Sequence, residues 1–138
     1  MKTIAEQTKT EFGVDVSCTV EGEVFSVPAT VSRELLMVVR EAVYNSVLHG
    51  NAGQIDIQVR YESERLALAV MDDGVGFDIA KHPAEDHYGI TGMRERMQGV
   101  GGIFCLHSAP NRGTRVEIAV ERAILLSKAR QARRWAMS

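Results

Sequence analysis

Three polar side chains of different chemistry recur at four-residue steps within the stretch 33–52. Glu41, Asn45 and His49 supply a carboxylate, a carboxamide and an imidazole. In a helix this spacing stacks the three groups along one flank. Polar groups that can carry protons or hold a ligand, aligned beside an apolar stripe, predict a functional site on this helix.

Two glycine-rich segments have the composition of a backbone that approaches a ligand. In the first, Asp72-Asp73-Gly74-Val75-Gly76, a carboxylate at a strand end meets two glycines, which let the chain turn tightly. A plain turn is the alternative, because Asp-Gly pairs are common in turns. In the second, Gly89-Ile90-Thr91-Gly92 opens a helix, whose free amides and positive dipole end suit a phosphate. Neither G-x-x-x-x-G-K-S/T nor G-x-G-x-x-G occurs, which excludes the two common phosphate-binding motifs.

Periodicity in the rest of the chain predicts the elements that position these groups. Leu36, Val39, Val43 and Val47 form the apolar stripe of an amphipathic helix, and alternation of apolar with polar residues indicates strands. The predicted strands are 14–20, 54–61, 65–71, 103–108 and 114–120, with a helix from Met93 to about Val100 and a polar helix over residues 1 to about 12. The stretch 77–87 has no periodicity, so we expect it to be a lid or binding loop.

The order of these elements predicts an α+β fold. Antiparallel hairpins with the helices gathered on one face make a two-layer α/β sandwich rather than a parallel, doubly wound sheet. A chain of 138 residues is the size of one ordinary domain with a proper core. Its net charge of −2 provides no global field that would draw it to nucleic acid or to a membrane.

The cysteines and the apolar runs indicate the compartment. No apolar run approaches the roughly 18 residues of a membrane span, and the amino end is too polar for a signal peptide. Cys18 and Cys105 each lie in an apolar, strand-like run. We therefore expect a soluble piece with two reduced core cysteines in a reducing, cytoplasmic environment.

Four motifs in this order resemble those of one known family. REAVYNSVLHGNA, DDGVGFD, GITGMRERM and NRGTRVEI are similar to the asparagine box and the three glycine boxes of the GHKL ATPases, over about residues 14–120. The segment GMRER more specifically resembles the catalytic ATP-binding domain of two-component sensor histidine kinases. The resemblance implies the Bergerat, or GHKL, fold: a mixed, mostly antiparallel sheet with helices on one face.

The functional residues of the family carry over to matching positions. The resemblance implies that Asn45 is a magnesium ligand and that Glu41 orients a water or takes the proton from the attacking nucleophile. It implies that Asp72 accepts a hydrogen bond from the adenine amino group, with Gly74 and Gly76 letting the base lie against the backbone. The other positions matched to the nucleotide site are His49, facing the phosphates, Gly89, Thr91, Gly92 and Met93, in the phosphate-binding segment, and Thr114, near the adenine.

For some positions near these motifs the sequence allows two different roles. His49 is either the basic position of the family or a structural histidine at the end of an apolar helix. Arg94 and Arg96 aid phosphate binding or lid closure, or they form a solvated helix face, which we favour for Arg96. Leu48 and Gly50 flank His49 where the family often has a basic residue and a small one such as alanine, so we expect weaker phosphate contacts.

The resemblance implies a protein histidine kinase. Such a domain binds ATP and Mg²⁺ and donates the γ-phosphoryl group to a histidine on a dimerisation domain missing here, for signalling through a response regulator. An anti-sigma-type serine/threonine kinase and a non-catalytic nucleotide-binding module are the alternatives. GMRER argues against the first, and the retained Glu41, Asn45 and Asp72 argue against the second. No nucleic-acid partner and no direct membrane insertion of the domain are expected.

The resemblance also divides the chain into three parts. Residues 13–120 are the ATP-binding catalytic domain, and residues 1–12 are interpreted as a connector from the missing dimerisation domain. Residues 121–138 are a basic tail in which Leu125, Ala129, Ala132 and Trp135 follow near-helical steps. We expect this tail to pack on its own domain or to fray, rather than to bind an anionic surface or a partner. The chain is expected to be cytoplasmic, as the cytoplasmic part of a membrane-anchored sensor.

Overall fold

The computed structural model describes residues 2–78 and 89–137, and within those ranges it contains four helices and five strands. In chain order they are α1 Lys2–Phe12, β1 Asp15–Gly22, α2 Ala29–Leu48, β2 Gln54–Tyr61, β3 Arg65–Asp72, α3 Ile90–Gly99, β4 Ile103–Ser108, β5 Thr114–Glu121 and α4 Arg122–Met137. Every helix and strand predicted from the sequence is present. Most of the predicted lid, 77–87, lies outside the described residues.

The five strands form one mixed sheet in the order β1-β2-β3-β5-β4. β1 and β2 are parallel, with α2 as the connection between them, and the other three pairs are antiparallel. The predicted α+β sandwich with a mostly antiparallel sheet is confirmed. Because β5 and not β4 lies beside β3, the start of β5 is next to the end of β3.

The helices cover one face of the sheet and enclose the core. Leu36, assigned to the apolar stripe of α2 from the sequence, is 37% exposed, whereas Leu35 is 4% exposed. The prediction was wrong here because the buried face of α2 is centred on the line of Leu35, Ala42 and Ser46. Ala42 and Ser46 are small and carry little weight in a hydrophobic pattern, yet small side chains let a helix approach a sheet. Alternate strand residues complete the core: Ile55, Ile57, Val59, Leu66, Leu68, Val70, Val116, Ile118 and Val120.

Both ends of α2 lie four residues before the ends of the predicted stretch 33–52. Pro28 occupies the N-cap, and Thr30 and Ser32 lie inside the helix. The fixed φ of proline suits a helix start, and the carbonyl of Pro28 accepts a hydrogen bond from the N–H of Ser32 at 2.9 Å. Beyond the other end Asn51, with φ +50°, takes the left-handed conformation.

The two cysteines are free thiols, but they are not both in the core. Cys18 is half-buried and packs against the helix layer, whereas Cys105 is exposed. Cys105 pairs with Glu117 on the face of the sheet that none of the described helices covers. The expectation of a buried Cys105 was therefore wrong, because the outer face of a two-layer sandwich stays in contact with solvent.

The terminal helices pack on the sandwich to different extents. Ile4 of α1 joins the core, and the ring of Phe12 contacts that of Tyr44 edge-on at 6.4 Å between centroids. In α4, Leu125 is buried, but every side chain from 130 to 136 is exposed and Trp135 is 83% exposed. The tail thus packs through its first turns, as expected, and continues as a helix rather than fraying. None of the helices in the described ranges combines the length and apolar character needed to cross a bilayer.

Candidate functional site

The carboxylate of Asp72, at the end of β3, accepts hydrogen bonds from three parts of the fold. Its Oδ1 accepts from the backbone N–H of Gly74, at 2.9 Å, and from that of Thr114, at 3.1 Å. Its Oδ2 accepts from the hydroxyl of Ser46 on α2, at 2.5 Å. The segment after β3, the start of β5 and the last turn of α2 therefore converge on one side chain.

The neighbouring carboxylate, Asp73, has a different task. Its Oδ1 accepts from the backbone N–H of Gln54, at 3.0 Å, and from that of Gly53, at 2.9 Å. These two bonds, that of Gln54 first, lower the pKa of Asp73 below its usual value of 3.8. Asp73 thus fastens the start of β2 to the end of β3 and takes no part in lining the cleft described next.

A cleft of about 450 Å³, its open mouth included, lies between the helix layer and the ends of β3 and β5. Asn45 on α2 and Asp72 on β3 both line it, so the two residues predicted to hold metal and base share one cavity. The predicted site residues in its wall are Asn45, His49, Asp72, Gly76, Met93 and Thr114. The side chain of His49 is exposed at the C-cap of α2.

The sequence analysis missed more than half of the cleft wall. The additional lining residues are Ala42, Ser46, Gly50, Phe77, Ile90, Leu106 and Val116. Most are apolar, which suits a flat ligand with few polar groups. Ser46 carried a detectable signal, since it is a hydroxyl next to Asn45 on an otherwise apolar helix face. The others could not be found from local pattern, because they come from six separate elements and loops.

Gly74 and Gly76, two of the predicted site residues, pack against the backbone of other segments. A Cβ at Gly74 would lie 2.3 Å from the carbonyl oxygen of Gly50, and one at Gly76 would lie 2.1 Å from that of Ala109. Gly76 also has φ +63°. Between them, Val75 donates a hydrogen bond to the carbonyl of Gly50 at 2.8 Å. The glycines therefore let this segment pass between the end of α2 and the β4–β5 turn.

The predicted site residues outside the cleft wall are Gly74, Glu41 on α2, and Gly89, Thr91 and Gly92 at the start of α3. The helix begins at Ile90, three residues earlier than expected, so Thr91 and Gly92 are in its first turn and Gly89 is its N-cap, with φ +66°. A Cβ at Gly89 would lie 2.2 Å from Oε1 of Glu41. The Glu41 carboxylate thus sits beside the positive end of α3, a favourable place for a negative charge.

The two arginines of α3 hold the helix in place. Arg96 is exposed, in keeping with the solvated helix face favoured for it, and it donates a hydrogen bond to the carboxylate of Glu34 on α2 at 2.7 Å. The guanidinium of Arg94 lies 5.1 Å from the ring centroid of Phe104 on β4. Both contacts tie α3 to its neighbours, and both are geometries in which arginine interacts well.

Comparison with solved structures identifies the fold as that of histidine kinase ATP-binding domains. The histidine kinase domain of a blue-light activated histidine kinase from Erythrobacter litoralis matches with a TM-score of 0.68 and 20% identity, over 91% of this chain and 62% of that one. The ATP binding domain of PrrB from Mycobacterium tuberculosis matches with a TM-score of 0.66 and 20% identity, over 83% of this chain and 85% of that one. At these identities the likeness concerns the fold alone.

Sequence comparison gives the family. Residues 30–124 match the family described as histidine kinase-, DNA gyrase B-, and HSP90-like ATPase, and the chain belongs to it. Sensor protein VraS of Staphylococcus haemolyticus and that of Staphylococcus epidermidis are each 32% identical over 94 residues. The match covers 68% of this chain and 27% of each relative, so the chain spans about a quarter of the length of these curated relatives. The resemblance inferred from the four motifs is confirmed.

Gly76 packs against backbone and Gly92 does not, so we expect opposite effects when each is replaced by alanine. Gly76→Ala places a methyl group against a carbonyl oxygen at positive φ, and we expect it to lower the free energy of unfolding by about 2–4 kcal/mol. Gly92→Ala, where a Cβ meets nothing within 4 Å, is the matched control. Because alanine favours a helix, it should be neutral or stabilising by up to about 1 kcal/mol. Urea unfolding followed by circular dichroism measures both, and equal effects would contradict the packing role of Gly76.

Proposed function

We propose that this chain is the ATP-binding catalytic domain of a sensor histidine kinase. In this proposal it binds Mg²⁺-ATP and donates the γ-phosphoryl group to a histidine on a separate dimerisation domain, for relay to a response regulator. Residues 13–120 form the nucleotide-binding part, and α1 leads from the dimerisation domain. The observation that carries the proposal is that Asn45 and Asp72 line one cleft in a chain of the ATPase family. The likeness to VraS supports the kinase assignment.

Asp72 is suited to reading an adenine. An ionised carboxylate is an acceptor with about four lone-pair sites, and the three hydrogen bonds to Asp72 leave one of them for a ligand. The amino group of adenine is a donor that matches this remaining acceptor. The apolar side chains of Phe77, Ile90 and Leu106 line the same cleft and would contact the faces of the base.

Asn45 is suited to holding Mg²⁺ together with the phosphates. In the described part of the chain no group of three or more His, Cys, Asp or Glu side chains could hold a metal ion. Mg²⁺ does not need such a cage, since it commonly takes one or two protein oxygens, several waters and substrate phosphates. A single carboxamide oxygen in the cleft fits that mode. When bound, the ion would neutralise charge on the phosphates.

Glu41 is suited to the proton transfer. It lies one helical turn before Asn45 and beside Gly89 at the start of α3. Phosphoryl transfer requires mainly positioning and charge neutralisation, so the task left to a carboxylate here is to orient the nucleophile or accept its proton. Asn45 then holds the phosphate end of the nucleotide, and Asp72 fixes the base end.

Binding of the base is tested by substituting two adjacent carboxylates, Asp72 and Asp73, one at a time. Calorimetry with a non-hydrolysable ATP analogue should show binding to the parent chain. We expect Asp72→Asn to weaken it at least about tenfold, because the acceptor that meets the amino group is compromised. Asp73→Asn, whose carboxylate lies outside the cleft wall, should change it less than about twofold. No binding by the parent at millimolar analogue would reject the proposed function.

The metal role is tested by the dependence of binding on Mg²⁺. The parent should bind the analogue more tightly with Mg²⁺ than in excess chelator, because the ion offsets the phosphate charge. Asn45→Ala should lose this gain, and Asn45→Asp, which keeps an oxygen ligand, should retain part of it. An Asn45→Ala variant with the full magnesium effect would show that another group holds the ion.

Transfer is tested by supplying a dimerisation domain in trans with labelled ATP. The parent should form an acid-labile phosphorylated product, whereas an acid-stable product would indicate the serine/threonine kinase alternative. Glu41→Gln should bind the analogue normally but lower the transfer rate about 10²–10⁴-fold, the usual contribution of a general base. Glu95→Gln, exposed on α3, is the control and should transfer at the parent rate. ATP binding without any transfer by the parent would favour the non-catalytic module.

A further inference from the structure

Ser46 donates a hydrogen bond to Asp72, the carboxylate that the proposed function assigns to recognition of the adenine base. It is 5% exposed, and its hydroxyl oxygen lies 2.5 Å from Oδ2 of Asp72 and 3.0 Å from the carbonyl oxygen of Ala42. A hydroxyl has one proton and therefore donates to one of these two acceptors at a time. The shorter distance and the charge of the carboxylate both favour Asp72.

The hydrogen bonds to Asp72 are divided unequally between its two oxygens. Oδ1 accepts from the N–H groups of Gly74 and Thr114, which fills its two lone pairs. Oδ2 accepts from Ser46, which leaves one open site on that oxygen. The Ser46 hydroxyl adds a restraint on the second oxygen to those that the two N–H groups place on Oδ1, and so narrows the terminal torsion of the carboxylate further. The direction in which Asp72 can accept from a ligand is thereby set from α2.

We propose that Ser46 is a positioning residue that makes the site select adenine over guanine. This inference rests on the proposed function, since it assumes that a purine base meets Asp72. Adenine presents one amino donor at the edge where guanine presents a carbonyl acceptor beside its N1–H donor. With a single open acceptor site in a fixed direction, Asp72 matches the amino group of adenine. With two open sites and a looser plane, it can also shift to accept from the N1–H of guanine.

A purely structural role is the alternative, because serine and threonine often bond the carbonyl four residues earlier in a helix. Thr8 on α1 shows that arrangement: its side chain is 6% exposed and its hydroxyl donates to the carbonyl of Ile4 at 2.7 Å. Thr8 lines no part of the cleft. It therefore provides a control for the loss of a buried helix hydroxyl without any change near Asp72.

The test is the ratio of the affinities for non-hydrolysable ATP and GTP analogues, measured by calorimetry on the 138-residue chain. We expect Ser46→Ala to lower this ratio about tenfold, the effect of one hydrogen bond to a charged group. Ser46→Thr, which keeps the hydroxyl, should restore the ratio to within about threefold of the parent value. Thr8→Val should leave the ratio unchanged even where it lowers the stability.

The outcomes separate the inference from the function on which it rests. An unchanged ratio in Ser46→Ala, with normal preference for ATP in the parent, overturns the role of Ser46 and leaves the nucleotide site intact. A parent that binds neither analogue overturns the proposed function itself. If Ser46→Ala fails to fold, Ser46→Cys, a weak donor of similar size, replaces it, and an ATP preference equal to that of the parent again overturns the inference.

Discussion

The three hydrogen bonds to the Asp72 carboxylate are the interaction on which the arrangement of the site depends. A half-buried charge needs several donors, and here they come from Gly74, Thr114 and Ser46. The bond from Gly74 is local, whereas Thr114 belongs to β5 and Ser46 to α2, so the full set forms only when β5 lies beside β3 and α2 lies above both. The carboxylate proposed to accept from a ligand therefore receives all its hydrogen bonds only when the sandwich is correctly assembled.

The glycines around this carboxylate serve the assembly as much as the ligand. Gly74 and Gly76 allow their segment to contact the carbonyls of Gly50 and Ala109, and a Cβ at Gly113 would lie 2.1 Å from the carbonyl of Asp72. Three segments of backbone meet there at distances that no side chain permits. A glycine in a ligand-binding motif is thus explained in this chain by backbone contacts, before any nucleotide is considered.

The opposite end of the cleft depends on how α3 is fixed. Arg96 pairs with Glu34 of α2, and Arg94 lies over the ring of Phe104 on β4. These contacts set the start of α3 beside Glu41, so that the positive helix end and the carboxylate share one position. Ile90 and Met93 of α3 line the cleft, so the position of this helix also sets the shape of the cleft wall facing α2 and the sheet.

The sequence by itself determined the type and order of the elements, because periods of two and of three to four residues are local properties of strands and helices. It also determined the family, and it predicted Asn45 and Asp72 as site residues, because the motifs that carry them are short and contiguous. Only the tertiary structure decided that β5 lies beside β3, that Ser46 donates to Asp72, and that Cys105 is exposed. These are contacts between residues far apart in the chain, and local periodicity carries no information about which strands become neighbours or which face a second layer covers.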